Sequence, residues 1–171
     1  MEKKLIAKKM KLFIWVLFIL YLVILINVIL LKGGIVVDMV RMRSQYGGIQ
    51  SSFTERISAI NFIPFKTIIY YLSQNEGFGI SRDNILGNIF AFTPLGFLLP
   101  ILFDKCNNVR KILIIGLTVS LSIEVVQVVF SLGSGDIDDI ILNVFGTILG
   151  FWIYIKFNKR LKNLLRRICD V

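Results

Sequence analysis

The stretch ILIIGLTVSLSIEVVQVVFSLGSGDIDDIILNVFGTILGFWIYI, residues 112–155, decides the fold. It holds two apolar runs, Ile112 to Leu132 and Ile140 to about Ile155, joined by a glycine-rich acidic turn. The second run can start as early as Ile137. A bilayer hydrocarbon core about 30 Å thick takes roughly 20 predominantly apolar residues as helix, so each run reads as a membrane span. Working outward, Ile85 to Phe103 is a third such run, and Leu12 to Leu31, bounded by Lys11 and Lys32, is a fourth. The expected fold is an all-α membrane protein. Four transmembrane helices, at about 12–31, 85–103, 112–132 and 137–155, form a bundle in a single domain over residues 1–171. The first run is too long for the apolar region of a cleavable signal peptide, and no small-residue cleavage site follows it.

Composition agrees. Of 171 residues 56% are hydrophobic and 18% charged, against about 45–50% and about 25% in soluble domains. A water-soluble enzyme and a disordered segment are both disfavoured. The absence of histidine removes imidazole acid–base chemistry, histidine metal ligands and histidine-dependent triads. Two cysteines do not make a four-ligand zinc site. The net charge of +9 could suggest nucleic-acid binding, but in so apolar a chain it reads as charge flanking membrane spans, and no nucleic-acid partner is expected. Basic residues crowd the N-terminus (Lys3, Lys4, Lys8, Lys9, Lys11), the linker 104–111 (Lys105, Arg110, Lys111) and the tail after Ile155. The turn between the last two spans has none and is acidic. The positive-inside rule then predicts that both termini are cytoplasmic. Cys106 and Cys169 fall on the reducing side and are expected as free thiols.

The long outer loop, residues 32–84, is broken by Gly33-Gly34 and Gly47-Gly48. Within it INFIPFKTIIYYL, residues 60–72, is apolar and aromatic but too short to span. Pro64 suits the first position of a short helix. The segment reads either as an interfacial helix with Tyr70 and Tyr71 at headgroup level or as a re-entrant piece packed on the bundle.

Polar residues inside lipid are costly unless paired, and their spacing shows where they face. Gly116, Ser120, Glu124, Gln127 and Ser131 share one helical face. So do Asp139, Asn143, Gly146 and Gly150, and so do Asn84, Gly87, Asn88 and Ala91. Such small and polar stripes face one another rather than lipid. At about 1.5 Å rise per residue, Asn88, Gln127 and Asn143 lie about 6–7 Å below the outer ends of their helices. They are therefore expected to hydrogen-bond across the bundle. Glu124 sits about one turn deeper, and Arg82, at the outer mouth, has the reach to partner it. The inner halves of the spans are nearly purely apolar. In the acidic turn, Asp136 is placed to N-cap the last span, with Asp138 and Asp139 complementing its dipole. The same oxygens, with Asn143 and Glu124, also have the chemistry of a ligand contact or a hard-cation site. Gly146 and Gly150 form a small-x-x-x-small packing signature. Pro94 and Pro100 are expected to loosen or kink their helix.

These residues fall into an ordered set of motifs. Asn84-Ile-Leu-Gly-Asn88-Ile-Phe-Ala-Phe-Thr-Pro94-Leu-Gly96-Phe-Leu-Leu-Pro100 resembles the N-x-x-x-F-x-P-x-G-F-x-x-P segment of the VanZ-like family. Ser122-Ile-Glu124-Val-Val-Gln127 is similar to its S-x-E-x-x-Q helix. Asp136-Ile-Asp138-Asp139 through Asn143, Gly146 and Gly150 resembles its D-x-x-D-x-x-x-N-x-x-G-x-x-x-G helix, and Asn61-Phe-Ile-Pro64-Phe65 its N-x-x-P-F element. The resemblance covers residues 60–155. It departs at Ser131-Leu-Gly-Ser-Gly135, where many relatives carry an arginine.

The resemblance implies a multi-pass protein of the bacterial cytoplasmic membrane, and a link to glycopeptide (teicoplanin-type) resistance. The expected function is non-enzymatic: an outward-facing polar pocket that binds an envelope component, such as a lipid-linked cell-wall precursor, or the antibiotic itself. Its candidate residues are Arg82, Asn84, Asn88, Glu124, Gln127, Asp136, Asp138, Asp139 and Asn143, with no cofactor and no assigned metal. The lipid bilayer is the one general partner, and the oligomeric state is open. A membrane enzyme acting on a lipid-linked cell-wall intermediate is the alternative, followed by a small transporter or structural subunit. The missing histidine and nucleophile motif weigh against the enzyme, and the apolar inner half against the transporter.

Overall fold

The computed structural model describes residues 2–30, 53–73, 78–130, 132 and 135–169. The glycine pairs at 33–34 and 47–48 lie outside the described residues. The elements are α1 (Glu2–Leu30), α2 (Phe53–Ser58), α3 (Lys66–Ser73), α4 (Phe78–Leu102), α5 (Val109–Phe130) and α6 (Ile137–Cys169). Four stretches are long and apolar enough to cross a membrane: Lys11–Ile29, Asn84–Leu102, Val109–Phe130 and Ile137–Lys159. The chain is an all-helical multi-pass membrane protein whose apolar helices suit it to the lipid bilayer.

Two helices outrun the spans read from the sequence. α6 continues through the basic tail to Cys169, and α1 begins at Glu2. Neither extension contains glycine or proline, so nothing in the residues stops the helix where the apolar run stops. α4 is likewise uninterrupted through Pro94 and Pro100. Beside Pro94, the Tyr21 hydroxyl donates to the Ala91 carbonyl at 2.7 Å and the Thr93 hydroxyl to that of Ile89 at 2.8 Å.

Helices α4 and α6 run side by side in the same direction, backbone against backbone. A Cβ at Gly146 would strike the Ile89 carbonyl, one at Gly150 the Thr93 carbonyl, and one at Gly96 the Thr147 carbonyl. These three glycines set how closely the pair approaches, as small-residue interfaces do in membranes. α5 runs antiparallel to them, with Gly116 against Thr147. α1 joins through Phe18, Leu25 and Ile29, spaced 7 and 4 along one face. Phe92, Leu95, Leu99, Leu102, Ile112, Ile123 and Phe151 complete the buried apolar core. Outward-facing Phe90, Ile114, Leu121, Val125, Phe145 and Trp152 are exposed, as lipid contact requires. At the end away from the acidic turn, Trp15 packs edge-on to Phe103 with centroids 5.3 Å apart. Cys106, nearby in the chain, is buried and free.

Candidate functional site

The site is built where α4 and α6 begin and α5 ends. It starts from a strap, residues 60–73, that closes over that end. Asn61 is in an isolated parallel bridge with Asp136. Its N–H donates to the Gly135 carbonyl at 2.9 Å, and its carbonyl accepts the N–H of Ile137 at 3.0 Å. The Asn61 side-chain amide donates to Asp136 Oδ1 at 2.9 Å, and the Thr67 hydroxyl donates to Asp136 Oδ2 at 2.6 Å. Asp136 Oδ1 also accepts the N–H of Asp138 at 2.9 Å, so Asp136 caps α6 as its position in the sequence predicts.

Asp138 does something the sequence reading did not assign. Its carboxylate turns away from its own helix and caps α3 instead. Oδ1 accepts the N–H of Phe65 at 2.5 Å, and Oδ2 accepts those of Thr67 at 2.7 Å and Ile68 at 3.1 Å. Asp138 is 1% exposed. The first N–H groups of a helix have no intrahelical acceptor, and a carboxylate there satisfies both the donors and the positive dipole end. Phe65 enters the helix at φ 66°, a left-handed conformation that costs a non-glycine residue roughly 1–2 kcal/mol. The bond from its N–H to Asp138 holds it there.

Below this clasp the remaining polar residues pair in a different pattern from the expected amide layer. The Asn88 amide donates to Asp139. Asn143 donates to Ser120 Oγ at 3.0 Å, and Gln127 donates to the Ile29 carbonyl at the end of α1 at 3.0 Å. The three amides thus face three separate partners, because each helix turns its stripe toward a different neighbour. Glu124, 5% exposed, accepts the N–H of Asp136 at 3.0 Å through Oε2. Asn84 donates to the Tyr71 hydroxyl at 3.3 Å, tying α4 to the strap. The side chain of Arg82 lies outside the described residues.

Asn88, Ser120, Glu124, Gln127, Asp138, Asn143 and Thr147 are all buried. Of these, Asn143 retains a buried Oδ1 with no hydrogen-bond partner among the described residues. The oxygens of Asp136 and Asp138, by contrast, already face donors of the chain itself. Among the described residues, no group of three or more Asp, Glu or Cys is arranged to hold a metal ion.

This combination of strap, acidic clasp and buried amides lies within residues 18–160, which match the VanZ/LLP1 family model. The chain belongs to the VanZ/LLP1 family. Protein VanZ of Enterococcus faecium is 31% identical over 142 residues, covering 83% of this chain and 73% of the relative. No solved structure matches. The matched span runs from α1 into α6, so every partner named above belongs to the shared VanZ/LLP1 region.

Sequence reasoning missed Thr67, Ser120 and Tyr71 as site members. Ser120 was legible as part of the α5 stripe, and Thr67 as a polar residue in an otherwise apolar segment. Neither signal names its partner.

Proposed function

We propose that this VanZ/LLP1 chain sits in the bacterial cytoplasmic membrane with both termini inside and contributes to glycopeptide resistance of the teicoplanin type. It does so without catalysis, by binding an envelope component or the antibiotic at the polar outer end of the bundle. Asn88, Glu124, Asp139 and Asn143 form the floor of the site, with Asn84 and Gln127 at its margin, and Arg82 is a further candidate residue. Asp136 and Asp138 hold the strap above it. The observation that carries this reading is the one-sided burial of polar groups in an apolar bundle. Asn88, Glu124 and Asn143 are buried toward one end and Ser120 and Thr147 near mid-span, while Leu99, Leu102, Ile112 and Phe151 fill the other end. Intramembrane polar residues are expensive and therefore functional by default. Their bias toward one end supports a binding site on one side over a transport path.

The test is teicoplanin susceptibility in a host lacking the gene, complemented with the native chain or with Glu124→Gln. Native protein should raise the inhibitory concentration. Glu124→Gln should reach the same membrane level and lose the effect. Native protein without any effect on susceptibility refutes the resistance role, and an active Glu124→Gln refutes the charged site. Orientation is checked separately in a background lacking the native cysteines. An impermeant thiol reagent should modify Ser73→Cys in intact cells, and Asn107→Cys only after permeabilisation.

A further inference from the structure

The strap is amphipathic in the opposite sense to a surface helix of a soluble protein. Its polar atoms point inward: Asn61 and Thr67 to Asp136, and the Tyr71 hydroxyl to Asn84. Its apolar side chains point outward, with Phe62 67%, Phe65 54%, Ile69 62% and Leu72 69% exposed. Within α3, Ile69 and Leu72 lie on one face, and Phe65 precedes them by one turn. The inward face, Thr67, Ile68 and Tyr71, is half-buried. Large contiguous apolar patches of this kind mark an interaction surface.

We infer that this outward face is a docking surface for the bilayer itself, and that α3 lies in the membrane interface at the strap end of the bundle. Depth decides the occupant. The strap is pinned by Asn61, Phe65, Thr67 and Ile68 to residues 135–138, and the stretch of α6 long and apolar enough to cross a membrane starts at Ile137. The face is thus held at the level where hydrocarbon gives way to headgroups. Phe90 on α4 and Phe130 on α5, near the same end of the bundle, are likewise 63% and 67% exposed. Exposed Lys66 and Tyr70 stand among the apolar residues. A basic residue and an aromatic with a polar tip are the side chains that suit headgroup level. The acidic clasp thereby holds a lipid-seated helix over the polar site.

A single-tryptophan protein tests this. Trp15 and Trp152 are replaced by phenylalanine, and Ile69→Trp or Leu72→Trp is added as a reporter on the outward face. The protein is reconstituted into phosphatidylcholine vesicles with bromine either near the headgroup end or near the methyl end of the acyl chains. Both reporters should emit at short wavelength and lose most of their emission to the shallow bromines. They should lose much less to the deep ones and little to aqueous iodide. Long-wavelength emission quenched by iodide would overturn the proposal in favour of a water-exposed strap. Emission untouched by bromine and iodide would overturn it in favour of a covering protein, a second copy of this chain included. Both positions are exposed, so neither reporter disturbs the clasp.

Discussion

Asp138→Asn isolates the clasp. In the native protein the carboxylate accepts three backbone N–H groups through two oxygens, at 2.5, 2.7 and 3.1 Å. Asparagine keeps the volume and one acceptor. Placed to keep the bonds to Thr67 and Ile68, it turns an NH₂ toward the Phe65 N–H, donor against donor. A hydrogen bond to a charged group contributes about 1.5–3 kcal/mol and a neutral one about 0.5–1.5, so the two retained bonds weaken by about 1 kcal/mol each and the third is lost outright. The dipole of α3 loses its counter-charge as well, worth up to about 2 kcal/mol in a buried setting. The strap limits the total, because once it swings away its N–H groups find water. A loss of about 3 kcal/mol is the working expectation, which is roughly a hundredfold rise in the undocked population.

Trypsin reads this directly. The bond after Lys66 is a tryptic site whose amide nitrogen, that of Thr67, donates to Asp138. Cleavage that proceeds through a rapidly reclosing open state tracks the open population. In nanodiscs, the rate of cutting after Lys66, followed by mass spectrometry, should rise by about two orders of magnitude in Asp138→Asn. The exposed Asp104→Asn serves as control and should leave it unchanged. Equal rates in Asp138→Asn and the control would refute the capping role.

Three further outcomes follow from the same geometry. Thr67→Val removes the hydroxyl that donates to Asp136 and should speed cleavage after Lys66 at least about tenfold, for a bond of about 1.5–3 kcal/mol; Thr67→Ser should restore protection. In thermal-unfolding cycles, Asn88→Ala and Asp139→Ala should couple by about 0.5 kcal/mol or more, whereas Asn88→Ala and Gln127→Ala, which share no partner, should add within about 0.5 kcal/mol. Gly150→Leu drives a side chain into the Thr93 carbonyl and should cost at least about 1–3 kcal/mol, read as a lower melting temperature in detergent; Gly87→Ala, with nothing within 4 Å of its Cβ, should not.

The spans were legible in the sequence because each is a long apolar run, and the stripes because helical spacing fixes which residues share a face. Spacing does not say which neighbour a face meets. Gln127 carries the same amide as Asn88 and Asn143 at a similar depth, yet its acceptor is a backbone carbonyl 98 residues away. Asp138 shows the limit more sharply. An acid in the first turn of a helix satisfies the local dipole rule, and the sequence offers no sign that its carboxylate serves a different helix, 73 residues earlier. The strap's pinning was equally unreadable, since Asn61 and Thr67 meet Asp136 only after the bundle has formed.

The same contacts explain why three acids crowd into four residues. Two helix N-termini converge on them: Asp136 accepts an N–H of α6, and Asp138 accepts those of Phe65, Thr67 and Ile68 at the start of α3. Each terminus carries a partial positive charge and unsatisfied donors, so backbone N–H groups offset much of the charge of both carboxylates, and the Asn61 amide and Thr67 hydroxyl add two side-chain donors to Asp136. Asp139 stands apart, one position further along α6, and turns to Asn88 on α4. The acidic turn therefore divides by register. Asp136 and Asp138 fasten the strap, and Asp139 belongs with Asn88, Glu124 and Asn143 below it. Substitutions should divide the same way: those at Asp136 and Asp138 show first as strap release, and those below as loss of function in a strap that stays closed.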